Sequence, residues 1–62
     1  MLRLKMLRIS NKLTTKFMAE NIGVKVTTYR AYEQGTRFPT KDKLLKMAEL
    51  LRCTVDQLLK EE

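Results

Sequence analysis

Apolar residues recur along most of the chain at intervals of three and four, the spacing of one face of an α-helix. The start is ambiguous, because Leu2, Leu4 and Met6 alternate with basic residues as they would in a strand. Leu7 breaks that alternation, and no second segment offers a pairing strand. We therefore predict a first helix over residues 2 to 11.

Two further helices follow, separated by a glycine. Thr14 is a suitable N-cap for a second helix that extends to Asn21. Gly23 then supplies a tight turn. The third helix covers about residues 26–34, and Gly35 ends it in a left-handed cap. The residues at core spacing in the second helix are Met18, Ala19 and Ile22.

The remaining sequence predicts two more helices after a short loop. Pro39 keeps the residue before it extended, and Thr40 caps a fourth helix. Thr54 and Gln57 have the spacing of a capping box at the start of a fifth. The apolar positions are Leu44, Met47, Ala48 and Leu51 in the fourth helix, and Val55, Leu58 and Leu59 in the fifth. The prediction is one compact all-α domain of five short helices over residues 1–62.

The third helix has two faces of different chemistry. Val24, Tyr29 and Tyr32 point to one side at core spacing, which favours packing of the tyrosines over a role as stacking platforms. The other side carries small, polar or basic residues: Val26, Thr27, Arg30, Ala31 and Gln34. Such a low-profile outer face has the shape and chemistry of a helix in the major groove of DNA.

Charge points in the same direction. The chain has 62 residues and a net charge of +6. Residues 1 to 41 carry nine Lys or Arg against two acids, whereas residues 42 to 62 carry four against five. A basic N-terminal part is the electrostatic pattern of a protein that binds a polyanion.

The acid-free first 19 residues also resemble the composition of a transit peptide or a membrane-surface helix. Removing them would leave about 40 residues, near the lower limit for a domain that folds without staples. No apolar run approaches the roughly 20 residues of a membrane span. We expect neither targeting nor membrane binding.

Counting residue types excludes several chemistries. The chain has no His and a single Cys53, so it can form neither a zinc cluster nor an internal disulfide. No nucleophile has a histidine base, and the two glycines lack phosphate-binding spacing. We therefore predict no catalytic residue, metal, cofactor or small-molecule ligand, and no enzyme. One thiol fits a reducing cytoplasm, and Cys53 is interpreted as a small apolar residue in a turn.

Several residues have plain structural interpretations. Met18 and Met47 are expected to fill gaps in a core that has no Trp. Lys43, Lys46 and Lys60 are interpreted as a solvated face.

Taken in order, the motifs resemble the helix-turn-helix domain of the Cro and phage-repressor type, over nearly the whole chain. The carrying residues are Leu4-x-x-Leu7-Arg8, Leu13-Thr14, Ala19-x-x-Ile22-Gly23-Val24, Tyr29-x-x-Tyr32-Glu33-x-Gly35, Pro39, Leu44-Leu45-x-Met47-Ala48-x-x-Leu51 and Leu58-Leu59. The resemblance implies a lambda-repressor-like fold, in which the second and third helices form the helix-turn-helix and the third lies in the major groove.

The resemblance also implies roles by position. Residues facing bases would be Val26, Thr27, Arg30 and Ala31. Residues approaching phosphates would be Thr15, Lys25, Thr28, Gln34, Arg37 and Lys41. Arg8 and Glu33 would form an ion pair that ties the first helix to the third. Side-chain chemistry supports the base contacts, since Arg30 can grip guanine with two bonds and the Val and Ala methyl groups suit a thymine methyl.

The chain departs from the family pattern at four positions. Thr15 stands where the family usually has Gln, so a phosphate-contacting side chain is shortened or lost. Lys25 replaces the usual Ser or Thr cap of the third helix, so the role of Val26 depends on where that helix starts. Arg52 replaces the Gly or Asn that ends the fourth helix. Phe17 occupies a usually polar position and is expected to be partly covered.

We predict a sequence-specific DNA-binding regulator of bacterial or phage type, repressor-like, cytoplasmic and nucleoid-associated. The family habit implies a homodimer on a palindromic operator, and Leu58 and Leu59 of the last helix are the expected interface. The alternative is a protein-interaction module, such as an antitoxin or antirepressor that binds an acidic partner. Phe17 and the weakened phosphate contact at Thr15 favour that alternative.

Overall fold

The computed structural model describes residues 3–59, which form five helices and no strand. The helices are α1 (Leu4–Ser10), α2 (Thr15–Ile22), α3 (Val26–Gln34), α4 (Lys41–Leu50) and α5 (Val55–Leu59). The predicted all-α fold is confirmed: the bounds of α3 are as predicted, and those of α1 and α2 agree to within two residues. The expectations for Leu2 and Lys60 lie outside the described residues.

Side-chain caps begin three of the helices, at the residues that the sequence predicts. The Thr14 hydroxyl accepts a hydrogen bond from the Phe17 amide at 3.0 Å. Thr40 caps α4 in the same way, at 3.4 Å from the Lys43 amide. At α5 the capping box is complete, because Thr54 and Gln57 each accept from the other's amide, at 3.1 Å and 2.9 Å. Each cap satisfies amide donors that the helix itself leaves free.

Left-handed backbone ends four of the helices. Gly23 and Gly35, with φ of 78° and 84°, end α2 and α3 as predicted. Lys12 and Arg52 adopt φ of 59° and 55° after α1 and α4, where a side chain is costly, by roughly 1–2 kcal/mol. The turn after α4 therefore tolerates the non-glycine Arg52 at a cost in stability.

The core lies where the helices meet. Tyr29, Leu4, Met18, Met47 and Leu58 are its largest fully buried side chains. Burying a large apolar side chain contributes about 1.5–3 kcal/mol, so these residues dominate the stability of a small domain. The other buried residues of the core cluster are Ala19, Ile22, Tyr32, Leu44 and Leu51. The predicted apolar stripes of α2 and α4 are confirmed, as are the core roles of both methionines.

This packing corrects the prediction that Leu58 lies in a dimer interface. Leu58 is fully buried inside the domain, so it has no surface to offer to a second copy. The capping box turns α5 so that Leu58 faces inward, while Leu59 is half-buried against the core.

Contacts between helix ends fix α1 in the bundle. The Arg3 amide donates to the Leu58 carbonyl at 3.2 Å, which joins the start of α1 to α5. At the other end, the Asn11 side-chain amide donates to the carbonyls of Leu7, at 2.8 Å, and Leu51, at 3.4 Å. The C-terminal ends of α1 and α4 are therefore bridged, and α1 also packs against α3.

Candidate nucleic-acid interface

Helices α2 and α3 pack against each other across the short segment Gly23–Lys25. Gly23 carries the left-handed turn, and its amide and that of Val24 both donate to the Ala19 carbonyl at 3.0 Å. This arrangement turns the chain sharply between the two helices. It leaves one side of α3 turned away from the core.

The inner side of α3 is formed by aromatic residues. Tyr29 and Tyr32 are buried, and their rings meet edge to face with centroids 6.5 Å apart. Such a pair contributes about 0.5–1.5 kcal/mol beyond its buried area. The prediction that the two tyrosines pack in the core, rather than stack on bases, is confirmed.

The outer side carries most of the predicted base-contacting residues. Thr27 and Arg30 are exposed, and Ala31 is half-buried. Val26 is an exception, because it is half-buried and packs against the core. Val26 is predicted on this outer side as well, but it belongs to the first turn of α3, which lies close to the core, so only part of its side chain is exposed there.

The predicted phosphate-contacting residues lie at helix ends and in one loop. Thr15 begins α2, Lys25 precedes α3, Thr28 lies in the first turn of α3, Gln34 ends α3, Arg37 is in the loop that follows, and Lys41 begins α4. Lys25, Gln34, Arg37 and Lys41 are exposed, whereas Thr15 and Thr28 are half-buried. The Lys25 side chain does not cap α3, so no side chain accepts from the first amides of that helix at its N-cap.

An ion pair joins α1 to α3, as expected. The Arg8 Nε donates to the Glu33 carboxylate at 2.6 Å, and the two side chains are only 13% and 9% exposed. Arg8 also donates to the Leu13 carbonyl at 2.8 Å. The bonded carboxylate raises the pKa of Arg8, so the guanidinium stays charged throughout the accessible pH range. The pair and the carbonyl together hold α3 against α1 and the turn after it.

The Tyr29 hydroxyl lies beside this ion pair. Burial raises its pKa far above the ordinary value of 10.0, and the nearby Glu33 carboxylate adds to the rise. Among residues 3–59 no group reaches the hydroxyl with hydrogen-bond geometry. The phenol is therefore neutral and buried, close to the Glu33 carboxylate but without a well-formed hydrogen bond in that range.

The interpretation of Lys43 as part of a solvated face is wrong. Its Nζ donates to the Ile22 carbonyl, the last of α2, at 2.8 Å and in a partly buried position. The two residues are 21 positions apart, so no local pattern could have revealed the contact. Lys46, by contrast, is solvated as predicted, with a loose ion pair of 3.8 Å to Glu49.

Two further expectations can be compared with the structure. Phe17 is 40% exposed on the outer side of α2, close to the partial cover expected of it. Cys53 is half-buried against the core in the turn before α5, and burial raises the pKa of its thiol. A second exposed aromatic residue, Phe38 at 58%, lies beside Arg37.

Comparison with known proteins gives the family. A helix-turn-helix family model matches residues 4–58, almost the whole chain. The chain belongs to the helix-turn-helix family. No solved structure matches the chain significantly. Within residues 3–59, no helix is long and apolar enough to cross a membrane.

The similar curated proteins are named as transcription regulators. The cryptic phage CTXphi transcriptional repressor RstR of Vibrio cholerae serotype O1 is 42% identical over 41 residues, which cover 66% of this chain and 37% of that protein. The uncharacterized HTH-type regulator YobD of Bacillus subtilis is 40% identical over 57 residues, 92% of this chain and 51% of that protein. The HTH-type transcriptional regulator AnsR of the same species is 35% identical over 60 residues, which cover 97% of this chain and 52% of that protein.

The chain thus spans about half the length, or less, of the curated relatives it matches. The resemblance drawn from the sequence is confirmed by the family match. The names of the relatives also support the prediction that the chain is not an enzyme, because they describe regulators and repressors.

Proposed function

We propose that this chain, as a single domain, is the DNA-binding part of a repressor-like transcription regulator and that α3 enters the major groove. The observation that carries the proposal is the division of α3 into a buried aromatic side and an exposed side. The side chains of Thr27, Arg30 and Gln34 on that exposed side make no hydrogen bond or ion pair within residues 3–59. Family membership supports the same orientation.

Sequence would be read by the residues closest to the base edges. Arg30 is exposed and long enough to reach guanine O6 and N7 with two hydrogen bonds. The Thr27 hydroxyl can donate to a base or accept from one. Ala31 has no bulk to keep the helix from the groove floor, and the partly exposed Val26 would offer methyl groups to thymine.

Phosphate contacts would fix the register of the domain on DNA. Lys25, Gln34, Arg37 and Lys41 are exposed at both ends of α3 and at the start of α4. Thr15 and Thr28 are half-buried and would reach phosphates through their hydroxyls. Such contacts supply affinity and salt dependence but carry no sequence information directly.

The proposal includes a homodimer on a palindromic operator. One module makes few base contacts, and linking two of them raises affinity through effective concentration. Since Leu58 is buried, the partly exposed Leu59 and Val55 are what remains of the expected α5 interface. Sedimentation of the chain with and without a palindromic duplex tests this part of the proposal.

The antitoxin or antirepressor alternative is not favoured, because the relatives are named as regulators. The exposed Phe17 is compatible with it but does not distinguish it. A cytoplasmic, nucleoid-associated location follows from the proposed function, since that is where operator DNA is found.

Selection of binding sites from a random duplex library tests the proposal directly. The wild type should select one sequence, and its affinity should fall steeply between about 50 and 200 mM salt. Ala31→Leu should weaken binding of the selected duplex by collision with the groove floor while the protein stays folded. Lys46→Ala, on an exposed part of α4, is the control and should select the wild-type sequence.

Two outcomes would contradict the proposal. The first is salt-independent affinity, which would remove DNA as the main partner. The second is tight binding of the selected duplex by Ala31→Leu, which would mean that α3 does not approach DNA with its outer side.

A further inference from the structure

Lys43 makes a contact that joins two helices of the domain, α4 and α2. It belongs to α4, but its Nζ hydrogen-bonds to the Ile22 carbonyl at the end of α2, 2.8 Å away. A β-carbon built on Gly23 would lie 3.6 Å from the same nitrogen. The ammonium therefore sits over the turn that leads from α2 into α3.

The end of α2 provides a reason for this contact. The last carbonyls of a helix have no partner within it, and together they carry partial negative charge. No basic residue lies in the last turn of α2, so the helix does not supply a cation of its own. Lys43 makes no ion pair within residues 3–59. Its charge is therefore directed to the carbonyl rather than to a carboxylate.

The turn is also restrained by the packing of Ile22 and Val24 in the core and by its own backbone hydrogen bonds. Its own hydrogen bonds are those of the Gly23 and Val24 amides, which share the Ala19 carbonyl. Both bonds lie within the α2 end, whereas Lys43 adds a tie from a separate helix. Its neighbour Leu44 is buried in the core, so the base of the lysine side chain is held in place.

We infer that Lys43 is a positioning residue for DNA recognition: it holds the α2–α3 turn and thereby sets the direction of α3. This inference rests on the proposed function, since it assigns the direction of α3 to the reading of DNA. A change at the Ile22 carbonyl would shift the Gly23–Val24 turn and with it the first turns of α3, while the Arg8–Glu33 pair holds the other end of that helix. Arg30, in the middle of α3, would then no longer be aligned with its base.

A matched pair of variants tests the role on DNA. Lys43→Met and Lys46→Met each remove one positive charge from α4, but only the first removes the contact with Ile22. Compared with Lys46→Met, Lys43→Met should bind the duplex selected by the wild type about tenfold more weakly, the scale of one charge-assisted hydrogen bond. Both variants should bind a scrambled duplex equally. Lys43→Arg, which keeps a donor, should restore most of the difference.

The salt dependence separates positioning from a direct phosphate contact. If Lys43 touched phosphate, its loss would weaken binding of the selected and the scrambled duplex alike. The log-log salt slope would also flatten by about one unit relative to Lys46→Met. That result would overturn the inference. Equal affinities of the two variants for the selected duplex would overturn it too, even if Lys43→Met had a lower melting temperature.

Amide hydrogen exchange tests the turn without DNA. In the free protein the Gly23 and Val24 amides should exchange about tenfold faster in Lys43→Met than in Lys46→Met, because local opening becomes easier. Unchanged exchange would overturn the role of Lys43.

If the wild type selected no duplex, the proposed function would fail by itself, and amide exchange would still decide whether Lys43 holds the turn. If Lys43→Met did not fold, Lys43→Arg would have to keep both exchange protection and selective binding, and loss of either would contradict the inference.

Discussion

The nine residues of α3 form two sides, one that packs into the fold and one that faces outward. On the inner side, Tyr29 and Tyr32 are buried, and Glu33 bonds to Arg8 of α1. On the outer side, Thr27 and Arg30 are exposed, and their side chains make no hydrogen bond or ion pair within residues 3–59. The inner side is bound into the fold, whereas the outer side keeps its polar groups available.

This difference implies that stability and recognition can be changed separately. A substitution on the inner side removes contacts that already exist, so it should lower the free energy of unfolding. A substitution on the outer side removes contacts that form only with a partner, so it should change binding alone. The predictions below test that separation, beginning with the largest effect.

The largest effect is expected for Glu33→Ala on the inner side. Loss of the carboxylate leaves the shielded Arg8 guanidinium without its partner, and breaking a buried pair in this way costs about 3–5 kcal/mol. Since the pair keeps slight exposure, we expect a loss near the lower end, about 3 kcal/mol. Urea denaturation followed by circular dichroism measures it.

A matched control for that variant lies on α4. Glu49→Ala breaks the exposed 3.8 Å pair with Lys46, which should cost less than about 1 kcal/mol. Equal unfolding free energies for the two variants would mean that the inner side of α3 is not held by the ion pair.

The next effect is expected for Arg30→Ala on the outer side. A bidentate contact with guanine is worth about 1–3 kcal/mol, so affinity for the selected duplex should fall by that amount and discrimination should relax at one base pair of each half-site. The unfolding free energy should stay within about 0.5 kcal/mol of wild type. Repeating the site selection with the variant measures the change. Equal weakening on every sequence would identify Arg30 as a phosphate contact instead.

A smaller effect is expected for Arg37→Gln in the loop after α3. If Arg37 contacts phosphate, the log-log slope of affinity against salt should flatten by about one unit, with the same preferred sequence. Arg37→Lys keeps the charge and should keep the slope. If Arg37→Gln preferred a different DNA sequence, Arg37 would contact bases rather than phosphate.

The smallest effect at neutral pH is expected for Tyr29→Phe. It removes a buried hydroxyl that lies close to the Glu33 carboxylate but makes no well-formed hydrogen bond in residues 3–59, so the unfolding free energy should change by no more than about 1 kcal/mol. A loss of more than that would mean that the hydroxyl is bonded after all. Thermal and urea denaturation of the two proteins decide it.

The same variant should also change the pH dependence of stability. The raised pKa of Tyr29 means that the folded state holds the phenolic proton after the unfolded chain has released it. The raised pKa adds to the free energy of unfolding, and this addition is fully present below about pH 10. As the pH rises further, it is lost at about 1.4 kcal/mol per pH unit. Tyr29→Phe lacks this loss, so the difference between the two proteins should grow above pH 10. A constant difference would contradict the assigned pKa direction.

Local patterns were enough to predict most of the fold. The spacing of apolar residues located all five helices, and Thr14, Thr40 and Thr54 marked where three of them begin. Gly23 and Gly35 marked two of the ends, because their left-handed backbone favours glycine. These features depend on interactions within a few residues of each other, and a sequence shows them directly.

Contacts between distant residues were predicted less well. The Arg8–Glu33 pair was expected from the family resemblance, not from its own spacing of 25 residues. Val26 was placed on the outer side because helical periodicity ignores how closely the first turn of α3 approaches the core. Leu58 was assigned to an interface because it lies near the end of the sequence, but packing turns it inward.

The sequence by itself determined the five helices, their caps, the basic character of the first 41 residues and the two-sided pattern of α3. Each of these depends on residue type and on neighbours within one or two turns. Only the tertiary structure decided that Lys43 is tied to the end of α2, that Leu58 belongs to the core and that the Tyr29 hydroxyl is buried beside the Arg8–Glu33 pair. These depend on how helices far apart in the chain are packed, and packing depends on shape and hydrogen-bond geometry that residue order alone does not express.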